Sequence, residues 1–145
     1  QNKEGRFNLA LLSILLFAFA VTSLFFRKHI DGVNSEIPFA TATFAEVNQA
    51  ITEHNALLID ARSEMQYLYG TIADAINIPE DTNNLDSLLA LWNLKEQKLI
   101  VFCNGVHCDK AELLSRRLAE AGCEHIYIYS GGWDDWIENE MKLEQ

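Results

Sequence analysis

Two cysteines are the residues of this chain best placed for chemistry: Cys103 and Cys108 bracket the segment CNGVHC. The apolar run Leu99–Phe102 directly before Cys103 is typical of a buried strand, and a helical pattern begins at Asp109. Ligands of α/β sheets usually bind where strands end. A helix dipole and main-chain N–H groups lower the pKa of a thiol at that point, so Cys103 is the predicted nucleophile. The competing interpretation is a small buried packing residue.

Strands and helices alternate in the part of the chain that carries these cysteines. Unbroken apolar runs predict buried strands over 56–59, Leu99–Phe102 and Ile126–Tyr129. Capping boxes predict helices that begin at Thr43 and Asp109, the second one ending near Gly122. A third helix is predicted over 85–94, with Leu85, Leu88, Leu89 and Trp92 on its buried side. Strands that alternate with amphipathic helices imply a parallel sheet in an α/β fold.

The charge of the chain is unevenly distributed. Residues 31–145 contain 7 Lys and Arg against 20 Asp and Glu, a net charge near −13. Such a field repels phosphate backbones, so we expect no nucleic-acid partner. The chain has only three cysteines, too few for a disulfide scaffold, which favours a chemical use for them.

The amino-terminal residues are strongly apolar. Residues 9–26 carry no charge, and with the two residues before them they approach the length of a helix that crosses a bilayer. We therefore expect a single-pass membrane anchor over 1–28, in contact with lipid through 8–26, then a tether over 29–42 and a folded domain over 43–145. A short extended segment is expected around 37–39. The alternative is a cleaved signal peptide, since Ala18-Phe19-Ala20 has the small-x-small form.

Basic residues flank both ends of this apolar segment: Lys3 and Arg6 precede it, and Arg27 and Lys28 follow it. Each end thus has two basic residues, so the positive-inside rule does not decide the orientation of the helix. The charged amino terminus favours the cytoplasmic side for that end, whereas the Arg27-Lys28-His29 cluster, close to the other end, favours the opposite orientation. Of the two, we expect the folded domain on the extracytoplasmic, periplasmic side.

Four stretches in a fixed order resemble the rhodanese-like domains: LIDAR at 58–62, GTIADAINIP at 70–79, VFC at 101–103 with its six-residue loop, and GGWDDW at 131–136. The resemblance implies a parallel five-stranded sheet with helices on both faces. It also implies that Cys103 takes sulfane sulfur from a donor, becomes a persulfide and passes the sulfur to a nucleophilic acceptor, without a metal or an organic cofactor.

The resemblance makes the rest of this loop the substrate-binding loop: Asn104, Gly105, Val106, His107 and Cys108. Its amides are expected to bind the anionic sulfur. The family often has a basic residue where this chain has Cys108, so only His107 and the nearby Lys110 remain to tune the preference for a donor. The donors to consider are thiosulfate, a low-molecular-weight persulfide and a donor protein, with a thiol as acceptor.

Three further residues raise alternatives. Cys108 is a candidate to attack a Cys103 persulfide and leave a disulfide, against the interpretation of a spectator thiol. Asp60 and Arg62 support the site, either at the rim of the pocket or, as we favour, as an internal ion pair that fixes the loop.

A zinc site that adds His107 or His125 to the two cysteines lacks a complete ligand set. Cys123 is predicted to be a packing residue.

The predicted function is that of a membrane-anchored sulfurtransferase. A second hypothesis is a non-catalytic docking or accessory subunit held beside an integral membrane protein complex, and a third is a dithiol redox module.

Overall fold

The computed structural model describes residues 13, 14, 17, 19, 22 and 39–143. The chain divides into two units between Glu36 and Ile37. In the amino-terminal unit the five described residues are helical. Most of the predicted bilayer span over 8–26, and the tether up to residue 38, lie outside the described residues. No helix within the described part is long and apolar enough to cross a membrane, so the anchor stays a prediction.

The second unit contains a five-stranded parallel sheet. Its strands are β1 (Ala40–Thr41), β2 (Leu57–Asp60), β3 (Ile76–Asn77), β4 (Leu99–Phe102) and β5 (Ile126–Tyr129), in the order β1-β5-β4-β2-β3. In the central register Asp60 pairs with Phe102, and Phe102 pairs with Tyr129. The last residues of three neighbouring strands therefore lie in one row at one edge of the sheet, and Cys103 follows that row directly.

Helices cover both faces of the sheet. They are α1 (Phe44–Glu53), α2 (Glu64–Tyr69), α3 (Leu85–Leu91), α4 (Lys110–Glu120) and α5 (Gly132–Leu143), with a 3-10 turn at Leu94–Glu96. Alternate residues of β4 point to opposite faces, as strand geometry requires. Val101 packs with Leu114 and Leu118 of α4 on one face, while Ile100 packs with Val47 of α1 and Trp136 of α5 on the other. The predicted α/β fold with two covered faces is confirmed.

Local rules account for the ends of the first helix. The Thr43 hydroxyl accepts the Glu46 amide, and the Glu46 carboxylate accepts the Thr43 amide, which completes the predicted capping box. The amide hydrogen bond lowers the pKa of Glu46. The corresponding prediction for Asp109 is wrong, because its side chain makes no capping hydrogen bond. The predicted end of α4 is confirmed, since Gly122 follows the helix with φ +97°.

The position of the first strand, the end of helix α3 and the exposure of Trp92 differ from the sequence expectation. The first strand is Ala40–Thr41, within the segment expected to be tether and later than the extended segment expected around 37–39. Helix α3 ends at Leu91, because the chain turns at Asn93 with φ +50°. Trp92, expected on the buried side, is 41% exposed. Cys123 is buried and unpaired, as predicted, and burial raises the pKa of its thiol.

Candidate active site

Cys103 is held at the carboxyl end of β4 by the start of α5. Its carbonyl oxygen accepts the Trp133 amide at 2.9 Å, and the Asn104 carbonyl accepts the Asp134 amide at 2.9 Å. These bonds use N–H groups that the first turn of a helix leaves unpaired. The site loop is thereby fixed to a helix that lies far from it in sequence.

Gly132 makes this attachment possible. It has φ +60°, in the left-handed region, and a Cβ built on it would lie 2.8 Å from the carbonyl carbon of Asn104 and closer still to the carbonyl oxygen of Cys103. Only a residue without a side chain permits both the conformation and the contact. The sequence identified the GGWDDW stretch, but the contact itself depends on the tertiary fold.

The loop after Cys103 folds back on itself in a tight turn. The Cys108 amide donates to the Gly105 carbonyl at 2.9 Å. The amides of Asn104, Gly105, Val106 and His107 donate no hydrogen bond to the described part of the protein. Four of the five predicted anion-binding amides therefore have no acceptor within the described residues, whereas the turn uses the Cys108 amide. Anion binding by this loop stays a prediction.

The turn brings the two cysteines of the loop together. Cys103 and Cys108 form a disulfide, with their Cα atoms 6.4 Å apart. We expected an ionised and reachable thiolate at Cys103. Instead its sulfur is bonded to Cys108, the residue is only 3% exposed, and it packs with Val101 and Ile128. The sulfur of the predicted nucleophile is thus covered by the half-buried Cys108.

An open cavity of about 330 Å³ lies against this disulfide. Its lining comes from the loop, the start of α4 and the end of β5: Cys103, Gly105, Val106, His107, Cys108, Asp109, Ala111, Glu112, Ile128, Tyr129 and Ser130. The lining contains two carboxylates and no Lys or Arg. Lys110 is not part of it, because its ammonium group pairs with Glu80 at 2.7 Å. His107 is the one basic side chain of the lining.

Asp60 and Arg62 form a buried ion pair away from the cavity lining. The Arg62 guanidinium contacts the Asp60 carboxylate at 2.7 Å, and Thr71 donates to the same carboxylate at 2.8 Å. The guanidinium carbon also lies 5.0 Å from the centre of the Trp133 ring. The pair therefore supports the residue whose amide holds Cys103, which agrees with the favoured structural interpretation and not with a place on the pocket rim.

Two residues of the site were not found by sequence reasoning. Tyr129 lines the cavity and donates its hydroxyl to Asp135; burial first, then this hydrogen bond, raises the pKa of its phenol far above the ordinary value. Gln66 of α2 donates to the Asn104 side chain at 3.2 Å. In the sequence Tyr129 is only the last residue of an apolar strand, and this pattern does not predict its hydrogen bond to Asp135. In the described residues no three His, Cys, Asp or Glu side chains are placed to hold a metal ion together.

Comparison with curated proteins finds partial relatives. The chain is 31% identical over 121 residues to the tRNA uridine(34) hydroxylase of Hamiltonella defensa, covering 77% of this chain and 33% of the relative. It is 32% identical over 92 residues to the enzyme of the same name from Erwinia tasmaniensis, covering 61% of this chain and 25% of the relative. The chain thus spans a third or less of the length of these curated relatives.

Solved structures with the same fold are more distant in sequence. The BH2092 protein from Bacillus halodurans superposes with a TM-score of 0.63 at 21% identity, covering 82% of each chain. The human single-domain sulfurtransferase TSTD1 superposes with a TM-score of 0.57 at 23% identity, covering 68% of this chain and 95% of that one. These likenesses support the fold alone.

The family model described as Rhodanese-like domain matches residues 43–139. This match covers β2 to β5, the loop with both cysteines, and the attachment of that loop to α5. The chain therefore belongs to the rhodanese-like domain family.

Proposed function

We propose that this protein is a sulfurtransferase in which Cys103, once reduced, carries sulfane sulfur as a persulfide. The observation that carries the proposal is the place of Cys103, which ends the central strand β4 and lines the cavity. Four amides that donate to no acceptor in the described residues lie in the segment that follows it. Main-chain N–H groups stabilise an anionic sulfur without a side-chain cation.

The proposed reaction consists of two displacements at sulfur. The Cys103 thiolate attacks the outer sulfur of a donor, forms a new S–S bond and releases the donor's remaining group as an anion. A thiolate acceptor then attacks the outer sulfur of the Cys103 persulfide, and the Cys103 thiolate leaves. Neither displacement needs an external oxidant or reductant, because the sulfane sulfur keeps its oxidation state during the transfer.

The charges of the cavity favour one class of donor. Asp109 and Glu112 line it, and Lys110 is already paired with Glu80. Glu112 is paired with Arg116 on the same helix, whereas Asp109 has no ion-pair partner in the described residues, so the Asp109 carboxylate repels a dianion such as thiosulfate. We therefore propose a low-molecular-weight persulfide, or a persulfide on a donor protein, as the sulfur source, and a thiol as the acceptor.

The tRNA activity named for the curated relatives is not part of this proposal. Residues 31–145 are strongly acidic, which disfavours a phosphate backbone as a partner. The absence of a nucleic-acid partner stays a prediction.

Comparison of Cys103→Ser with Cys123→Ala tests the proposal. Both variants remove a buried cysteine, but Cys123 lies outside the cavity lining. The full chain is reduced, supplied with glutathione persulfide and a thiol acceptor, and assayed for transferred sulfur. We expect Cys103→Ser to lose transfer completely and Cys123→Ala to retain it.

Equal transfer by wild type and Cys103→Ser would contradict the proposal. A wild type that transfers no sulfur, yet retains co-purifying membrane proteins as well as Cys103→Ser does, would instead identify a docking or accessory subunit.

A further inference from the structure

A second thiol, that of Cys108, lies beside Cys103 within the same loop. We propose that Cys108 is a resolving thiol, so that the protein reduces persulfides to sulfide in addition to carrying sulfane sulfur. This inference rests on the proposed persulfide at Cys103 and adds a second step, a role for Cys108 and a product.

Geometry is the first observation behind this role. The Cα atoms of Cys103 and Cys108 are 6.4 Å apart, within the usual span of a disulfide, and the structure has the two sulfurs bonded. The 105–108 turn, closed by the Cys108 amide and the Gly105 carbonyl, sets this distance. The main chain therefore needs no rearrangement for Cys108 to reach the inner sulfur of a Cys103 persulfide.

Access is the second observation. Cys103 is 3% exposed, whereas Cys108 is half-buried, and Val106 and His107 between them are exposed. The intramolecular thiol is thus already beside Cys103, while an external thiol must enter through the cavity. Such proximity gives an intramolecular group a large kinetic advantage over a free one.

Charge is the third observation. A Cys103 persulfide anion shares the cavity with the carboxylate of Asp109 and with that of Glu112, which is paired with Arg116. The Asp134 carboxylate lies against Gly105 on the other side of the loop. Like charges disfavour an anion that stays in place, whereas conversion to a neutral disulfide with departure of HS⁻ removes the repulsion.

The atoms and electrons of the step balance. The Cys108 thiol passes its proton to the anionic outer sulfur of the Cys103 persulfide, and the Cys108 thiolate then attacks the Cys103 sulfur. The Cys103–Cys108 bond forms, and the bond to the outer sulfur breaks. The outer sulfur takes the electron pair and leaves as HS⁻, so the sulfane sulfur is reduced by two electrons and the two cysteine thiols are oxidised to the disulfide. A dithiol reductant then restores both thiols by thiol–disulfide exchange.

A single-turnover experiment with glutathione persulfide tests the inference. The full chain is reduced with dithiothreitol, freed of it, and mixed with one equivalent of the persulfide. Released sulfide is measured, and the loop peptide is analysed by mass spectrometry after alkylation. Wild type is expected to release about one sulfide per chain and to yield the Cys103–Cys108 bridge. With excess glutathione persulfide, added dithiothreitol is expected to give repeated turnover, measured above the sulfide that dithiothreitol releases in the presence of Cys103→Ser.

Two variants with serine separate the steps. Cys108→Ser is expected to hold one extra sulfur on Cys103 and to release sulfide at least about tenfold more slowly. Cys103→Ser is expected to do neither. Cys108→Ala serves as a second variant, and the far-ultraviolet circular dichroism of each must match that of the wild type.

The outcomes distinguish the two proposals. A wild-type persulfide that persists on Cys103 without a bridge, or sulfide release by Cys108→Ser at the wild-type rate, overturns the role of Cys108 and leaves sulfur transfer intact. Failure of both wild type and Cys108→Ser to take sulfur at Cys103 overturns the proposed function, and the resolving role with it.

Discussion

Replacement of Gly132 by alanine perturbs the contact that holds the site loop. The new Cβ would lie 2.8 Å from the carbonyl carbon of Asn104, on a residue with φ +60°. The left-handed conformation costs an alanine roughly 1–2 kcal/mol, and overpacking of this kind costs roughly 1–3 kcal/mol. We therefore expect Gly132→Ala to lower the free energy of unfolding by roughly 2–5 kcal/mol. Sulfur transfer should fall as well, because relief of the clash moves the Cys103 carbonyl away from the Trp133 amide.

Gly122→Ala is the matched control. Gly122 also has a positive φ, +97°, but a Cβ there meets only the Lys95 side chain, at 3.6 Å. Its cost is the conformational part alone, roughly 1–2 kcal/mol, with no effect on transfer. Both variants are measured by urea denaturation of the full chain, followed by tryptophan fluorescence. Equal losses of stability in the two variants would refute the argument that Gly132 is required by the site loop.

Three further changes have defined outcomes. Asp60→Asn leaves the buried Arg62 guanidinium without its counter-charge and should lower the free energy of unfolding by about 3–5 kcal/mol, measured by urea denaturation; a loss below about 1 kcal/mol would show that the pair is not structural. Tyr129→Phe tests pH dependence: the folded pKa of Tyr129 is raised, so above about pH 10 the unfolded chain loses the proton first and wild-type stability falls. The stability advantage of wild type over Tyr129→Phe should therefore shrink between about pH 9 and pH 11, and a constant difference would contradict the raised pKa. Glu112→Gln removes a carboxylate of the cavity and frees the Arg116 guanidinium paired with it, and it should raise the rate with thiosulfate, relative to a neutral persulfide donor, by about fivefold, as expected for about 1 kcal/mol of changed charge interaction; an unchanged ratio would show that cavity charge does not select the donor.

Sequence patterns predicted the elements whose causes are local. The strand Leu99–Phe102 was recognised because an unbroken apolar run is needed where a strand is buried on both faces. The capping box at Thr43 was recognised because both of its hydrogen bonds join residues three apart. Cys103 was recognised as a candidate because it follows such a strand and precedes a helix.

The features that sequence patterns missed depend on distant contacts. Helix α2 has no buried residue, and its Leu68 and Tyr69 are exposed, so it lacks the apolar stripe that predicts a helix. The Asp109 side chain lies in the lining of the cavity and does not cap α4. The state of Cys103 was also missed, because the disulfide depends on how the 105–108 turn folds.

The central claim is that the sulfur of Cys103 carries the transferred atom. Peptide mass spectrometry of Cys108→Ser, reduced and then treated with glutathione persulfide, measures this most directly because the variant cannot form the bridge. We expect one extra sulfur on the peptide that contains Cys103 and none on the peptide that contains Cys123. An unmodified Cys103, with the extra sulfur on Cys123 or on neither cysteine, would contradict it.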